Sequence, residues 1–376
     1  MSNSKFLFNN GVLSHSTHIP PLSTFLETHP GAYTTTRSHN DGACVLFWER
    51  HLRRLSQSVR ILLDSHPQLL FEAKRFSKDS SPHFSTISGT WESEIRGLIN
   101  DSVRKVVPIA LKERSEGEEL SITTLVTGNF EKLIQTQSEY EKENVRRESV
   151  VDVFDVLVYI GDFVPPVFGI RENGSHLAVV GPGRDVASAK YSDWVRVRKS
   201  LEKLKPPLAT DLLLSNDGNR LLEGSVTNFF VVCRKVKNDQ VDKDGAEGTS
   251  FDEKESIDCF EVQTAPIGDG VLPGVIRQLV IEVCLTKGIP FREVAPMWSE
   301  HEIWEEAFLT NSLRLLQHVE TVSIPDSWDS LNSKSWKDIS WNKKQFERSP
   351  GIITRLIQKE VIEKANLEGY SFSEAA

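Results

Sequence analysis

Cysteine is scarce in this chain. Cys44, Cys233, Cys259 and Cys284 are the four present, and they form no Cys-x-x-Cys pair. Three of them sit in apolar segments, so buried free thiols in a reducing compartment are expected. Long apolar runs are missing as well, and none approaches the ~20 residues that a membrane helix needs. The opening "MSNSKFLFNNGVL" has neither a long apolar core nor an Arg-rich amphipathic stretch, and the closing "SFSEAA" carries no recognisable address. The expectation is a cytoplasmic protein with no membrane partner. Positive charge is not in excess: the net charge is −9. A broad phosphate-binding surface for nucleic acid is therefore not expected, although a local anion site needs only a few donors. The ten histidines are scattered, and His15 and His18 lie close together without further ligands. No metal site is expected.

What is present is ordinary soluble material. The chain has 376 residues, 39% hydrophobic and 26% charged, which is enough for two domains with a large core. Strand-like and helix-like stretches are mixed, giving an α/β (α+β) class. "GAYTTTRS" (31–38), "ELSITTLVTG" (119–128) and "VVDVFDVLVYIG" (150–161) read as strands. "CVLFWERHLRRLSQSVRILLDS" begins as a strand and becomes a helix, with Leu52, Leu55, Val59 and Leu62 at helical spacing. Residues 93–111 read as another helix. The Pro-rich "DFVPPVFGI" follows a strand and marks a linker. The expected domains are 1–162 and 171–376, joined by 163–170.

In the second part, 190–204 reads as a charged helix opening at Lys190. Residues 211–234 read as a meander with an Asn-Asp-Gly turn. The polar stretch 235–258 reads as a solvated extension. "PGVIRQLVIEVCLTKG" (273–288) reads as a helix with Pro at its start and Gly at its end. "EEAFLTNSL" (305–313) is a strand entering a turn. Residues 325–348, with Trp328, Trp336 and Trp341, read as a partly packed loop, and 349–367 as a closing helix.

"NRLLEGSVTNFFVV" (219–232) sets a carboxylate, Glu223, beside an apolar run. Such an acid is either a solvated turn residue or the partner of something positive. Three further features bear on the choice. Lys190 could act as a neutral amine in an apolar setting. The turn "DGVLPGVIRQ" leads into a helix N-terminus, where unpaired N–H groups and the positive dipole end receive phosphate. Ser312, in "FLTNS", offers a hydroxyl. An amine, a phosphate site and a buried carboxylate match the aldehyde, phosphate and pyridine nitrogen of pyridoxal phosphate. Taken singly, each feature is common.

The string "LLEGSVTNFFVV", then "TAPIGDGVLPGVIRQLVIEVCLTKGIP", then "EEAFLTNS", resembles the class IV pyridoxal-phosphate aminotransferases. These include branched-chain aminotransferases, D-amino acid aminotransferases and aminodeoxychorismate lyases. The resemblance implies a two-domain D-amino acid aminotransferase-like fold with the cofactor in the interdomain cleft, and a homodimer. It implies an amino acid and a 2-oxo acid as substrates, with lyase chemistry or a catalytically weak cofactor-binding homologue as alternatives. Lys190 matches the Schiff-base lysine; Lys199 lies too close to Glu223 for the family spacing. Arg54, in "HLRRL", matches the phosphate-binding arginine, with Arg53 turned elsewhere. Glu223 matches the partner of the pyridine nitrogen. Val275 and Ile276 match the backbone donors to phosphate, and Ser312 the hydroxyl that also reaches it. Asn228 matches a residue fixing strands around the site, with a simple turn cap as its other reading.

The sequence also departs from that pattern. Ile276 stands where the family often has threonine, Asn311 where glycine is frequent, and Val195 near an expected tyrosine. "ELSITTLVTG" has no arginine to clamp a substrate carboxylate, so Arg314, two positions after Ser312, is the candidate clamp.

Overall fold

The computed structural model describes residues 5–14, 19–71, 91–135, 150–235, 259–332 and 335–372. They form two compact units. The first comprises Met1–Pro165, Ser188–Arg198 and Ala365–Ala376; the second comprises Pro166–Ala187 and Lys199–Lys364. The chain first passes from one unit to the other at Pro165, within the 163–170 stretch. Two segments then depart from the expected 171–376 domain by returning to the first unit. Hydrogen bonding explains both. Tyr33 N–H donates to the Lys190 carbonyl and Ser192 N–H to the Gly31 carbonyl, each at 2.9 Å. Near the other end, Val45 and Tyr370 exchange backbone bonds of 2.8 and 2.9 Å.

The first unit is built on a sheet ordered β2-β1-β6-β5-β3-β4. Its strands are β1 (Lys5–Asn9), β2 (Val12–Leu13), β3 (Ala32–His39), β4 (Cys44–Val45), β5 (Glu119–Gly128) and β6 (Phe154–Phe163). All of these pair antiparallel. The β-branched runs of β3 and β5 explain their long ladder, from Ala32 opposite Val126 to Arg37 opposite Ser121. Helices α1 (Leu22–Thr28), α2 (Trp48–Ser65) and α3 (Trp91–Lys112) belong to this unit. Leu52, Leu55, Val59 and Leu62 of α2 are buried, as their spacing requires.

The second unit contains β7 (Ser175–Val180), β8 (Asp211–Ser215), β9 (Leu221–Gly224), β10 (Asn228–Arg234), β11 (Phe260–Thr264), β12 (Phe291–Glu293), β13 (Trp304–Asn311), β14 (Leu315–Pro325) and β15 (Trp341–Gln345). The path β10-β13-β14-β7-β8-β9 returns to β10, so these six strands close into a ring. The closing register is one pair, Glu223 opposite Asn228. Closure removes free strand edges and holds whatever sits at the seam. Phe229, Val231, Leu309, Val319 and Val322 share one buried cluster. Phe230 and Phe308 stack on the opposite face, 4.9 Å apart, as strand alternation dictates.

Two expectations are corrected. Residues 190–204 do not form one helix. Only single turns form, at Trp194–Val197 and Lys199–Glu202. The backbone groups of Lys190 and Ser192 are bonded to Gly31 and Tyr33, so tertiary pairing displaces local helix propensity. Residues 325–348 are more ordered than a loop: β15 pairs with β14 from Thr321–Gln345 to Pro325–Trp341. The expected polar extension falls almost wholly on 236–258, and His15 and His18 also lie outside the described residues. Cys233 and Cys284 are buried, and burial pushes both thiols up to about 12. No described helix is long and apolar enough to cross a membrane.

Candidate active site

In the first unit, functional side chains gather where β3, α2 and the 188–192 segment meet. Strand pairing of β3 with Tyr191 fixes the lysine backbone, and Lys190 N–H donates to the Ser58 hydroxyl at 3.2 Å. The Lys190 Nζ stands 4.5 Å from the centre of the Tyr33 ring, a cation–π distance. Arg54, one turn before Ser58 on α2, is buried and donates through Nη2 to Thr34 Oγ1 at 2.7 Å. The same hydroxyl is 2.7 Å from His51 Nδ1. Thr34 thus joins Arg54 to a histidine on the same helix face, three residues earlier. Burial holds His51 well below its ordinary range, and the charges of Arg54 and Lys190 push in the same direction. This part of the unit keeps its histidine neutral beside two cations.

In the second unit, Glu223 is 1% exposed at the seam of the strand ring. Its Oε2 accepts from Asn228 Nδ2 at 3.1 Å and from Leu272 N–H at 3.0 Å. Asn228 Nδ2 also donates to the Leu272 carbonyl at 2.9 Å. Asn228 therefore ties β9 to the segment that enters the helix Val275–Lys287, which is more than a turn cap. That helix has Gly274 at its N-cap, and no side chain caps its N–H groups. A Cβ at Gly274 would lie 2.0 Å from Asn228 Oδ1, so only glycine lets the helix start approach the strand. Val275 and Ile276 present helix-start N–H groups while burying their side chains, at 2% and 1% exposure.

The turn after β13 holds Ser312 and Arg314. Asn311 Oδ1 accepts from Leu313 N–H at 3.1 Å and Arg314 N–H at 2.8 Å, which makes the residue at the common glycine position the builder of this turn. Arg314 donates to Gln317, whose amide in turn donates to the Asn173 carbonyl at 2.7 Å. Burial lowers the Arg314 guanidinium from its ordinary value, and Asp211 partly offsets this.

The structure thus groups Lys190 with Arg54 in one unit, and Glu223, Asn228, Val275 and Ile276 in the other, which also holds Ser312 and Arg314. It adds residues that sequence reasoning missed. Thr34, His51 and Ser58 gave only the weak signal of polar residues on an apolar helix or strand. The most consequential is Arg184, whose Nε lies 3.0 Å from Glu223 Oε1. Its available signal was "VVGPGRD", where two glycines at a strand end permit close backbone approach.

Residues 171–322 match the family described as amino-transferase class IV. Over this segment the chain is similar to the class IV aminotransferases. Solved structures of that fold extend the likeness to nearly the whole chain. A branched-chain aminotransferase from Thermoproteus uzoniensis, solved with norvaline, is 17% identical with a TM-score of 0.57, covering 98% of this chain and 99% of its own. A hypothetical aminotransferase from Mycobacterium tuberculosis in its PLP-bound form is 15% identical with a TM-score of 0.55, covering 96% and 99%. A putative branched-chain amino acid aminotransferase from Thermotoga maritima is 18% identical with a TM-score of 0.53, covering 95% and 96%. No curated protein matches the chain significantly in sequence. The class IV fold is therefore established for this chain, and it places Glu223 and the Leu-Pro-Gly turn inside the matched segment.

Proposed function

We propose that this protein is a pyridoxal-phosphate-dependent aminotransferase that moves an amino group between an amino acid and a 2-oxo acid. The observation that carries the reading is Glu223, a buried carboxylate of fixed direction inside a class IV segment. The donor set fits the cofactor. Arg54 in the first unit, and separately the uncapped N–H groups at Val275 and Ile276 in the second, are each of a kind that suits a phosphate. Ser312 adds a hydroxyl to that set, Lys190 supplies the primary amine, and Glu223 supplies an acceptor for a ring N–H. Asn228 holds Glu223 in position. Bound pyridoxal phosphate would supply an electron sink for bonds at the substrate Cα. The Lys190 amine would take the proton from the substrate Cα as base and, as the conjugate acid, deliver it to the cofactor's aldehyde-derived carbon rather than back to Cα. Glu223 would be the acceptor that keeps a pyridine nitrogen protonated. A second copy of the chain as partner, and cytoplasmic residence, belong to the same reading.

The test begins with purified protein incubated with pyridoxal phosphate, reduced with borohydride and digested. A label on Lys190 supports the assignment; absence of a chromophore and of any labelled peptide removes it. Addition of an amino acid alone then separates the chemistries. Conversion of the cofactor to its amine form is the aminotransferase result, whereas pyruvate release without that conversion identifies a lyase. Arg314 is proposed as the cation that receives the substrate carboxylate, which requires it to exchange its bond to Gln317. Loss of one charged hydrogen bond predicts that Arg314→Ala raises KM about tenfold or more with kcat retained. An unchanged KM on a turned-over substrate excludes Arg314 from that role.

A further inference from the structure

Arg184 and Glu223 form an ion pair in which both side chains are almost completely removed from solvent, at 2% and 1% exposure. The loop carrying Arg184 is held against the hairpin that carries Glu223. Gly183 N–H donates to Asn216 Oδ1 at 2.9 Å, and a Cβ at Gly183 would lie 2.9 Å from Leu222 Cδ1. Glycine here lets the loop approach β9 closely enough for the guanidinium to meet the carboxylate. The other oxygen of Glu223 is taken by Asn228 and Leu272 N–H. Asp211, on the neighbouring β8, is bonded separately by the hydroxyls of Ser225 at 2.8 Å and Thr227 at 3.0 Å. Its field falls also on Arg314.

A buried carboxylate without a cation tends to take up a proton, because burial disfavours the charged form. A paired one stays ionised, but part of its charge is offset by the partner. We propose that Arg184 is a positioning residue that keeps Glu223 ionised and oriented and, by sharing its charge, weakens its hold on a proton facing it. The consequence for the cofactor rests on the function proposed above: a ring nitrogen presented to Glu223 loses its proton at lower pH than it would beside Glu223 alone. Arg184 is thus a setting for how strongly the ring withdraws electrons, separate from the residues that hold phosphate or aldehyde.

The test has two readouts on the full chain. The first uses the cofactor-free protein. Arg184→Met is expected to produce a protonated-carboxyl band in the infrared difference spectrum at neutral pH, absent from the unaltered protein, from Arg184→Lys and from the Arg184→Met/Glu223→Gln double variant. A spectrum unchanged by Arg184→Met in a folded protein overturns the proposal, as does a new band that persists in the double variant. The second uses pyridoxal phosphate labelled with nitrogen-15 in the ring, following its chemical shift with pH. Removal of a cation at this distance predicts that the ring nitrogen titrates about 1–3 pH units higher in Arg184→Met, with recovery in Arg184→Lys. An unmoved or lower titration overturns the proposal. If Arg184→Met does not fold, Arg184→Gln takes its place in both readouts, with the same outcomes deciding. If no variant and no unaltered protein binds the cofactor, the aminotransferase reading falls while the infrared result still decides the role of Arg184.

Discussion

The surroundings of Lys190 and those of Glu223 handle charge in opposite ways. Around Lys190, the lysine and Arg54 of α2 both bring positive charge to bear on a buried histidine. The lysine stands over an aromatic face, Arg54 meets a hydroxyl, and the adjoining histidine is kept neutral. Around Glu223, a cation and an anion meet directly, and backbone and amide donors complete the arrangement. The first environment is suited to an anion brought from outside, such as a phosphate. The second is balanced within the protein and acts by holding one atom in place. The two units therefore contribute different physical properties to the proposed chemistry.

The largest effect is expected at Lys190. Lys190→Ala removes the primary amine while leaving the neighbouring Arg54–Thr34 contact in place. Loss of acid–base assistance alone predicts a fall of about 10²–10⁴-fold in the half-reaction rate, and borohydride labelling at this position should disappear. Measurement by stopped-flow absorbance checks it. A rate within tenfold of the unaltered protein would move the base elsewhere.

At the other pole, Glu223→Leu tests whether the second unit is balanced internally. It leaves Arg184 buried beside an apolar side chain and strips Leu272 N–H of its acceptor. Breaking a buried pair predicts destabilisation of about 3–5 kcal/mol in denaturant unfolding. The double variant Arg184→Met/Glu223→Leu should recover a good part of this loss. If the single and double variants are equally unstable, the ion pair is not what holds the seam.

Legibility in the sequence differed between the two regions for the same physical reason. Local patterns announced the elements well where neighbours in sequence decide the structure. Residues 119–128 form β5 over their whole expected length because a dense run of β-branched residues suffices. The helix ending at Gly288 stops there because the glycine adopts a left-handed conformation, φ 67°. Lys190 was legible as a chemical group but not in its setting. Its segment reads as helical, yet strand-like bonds to Gly31 and Tyr33 prevail, and nothing within 190–204 records those partners. Arg184 is the extreme case. Its partner lies beyond an intervening strand, and its loop is held by Asn216 rather than by any local repeat. Glu223 was recognisable through its surrounding motif, whereas the residue that compensates it was not.

Ile276 stands at the helix start of the second unit. The residue retains its N–H but buries its side chain almost fully, at 1% exposure, where a threonine would add a hydroxyl. Ile276→Thr exchanges packing for a donor. A new charged hydrogen bond predicts cofactor affinity about tenfold higher, while loss of apolar burial predicts a small drop in stability of the cofactor-free protein. Equilibrium dialysis against pyridoxal phosphate, paired with denaturant unfolding, separates the two. Unchanged affinity with lowered stability would mean that this side chain does not face the phosphate.

His51 gives the smallest effect and tests the other pole without removing a cation. Burial and the charges of Arg54 and Lys190 hold its folded value well below the ordinary one. The unfolded chain, titrating near pH ~6.5, then binds more protons than the folded protein as the pH falls below that value. Stability should be fully present above about pH 6.5 and fall as pH decreases toward the folded value, by up to about 1.4 kcal/mol per pH unit for one such group. His39 and His318 are lowered in the same direction and contribute to the same slope. The contribution of His51 is therefore read as a difference, by comparing the pH dependence of unfolding with that of His51→Gln. A shallower slope in the variant is expected, and an identical slope would show that His51 can accept a proton without penalty. In that event Arg54 and Lys190 would not be raising the local potential at His51, and the contrast between the surroundings of Lys190 and those of Glu223 would have to rest on Glu223 and Arg184 alone.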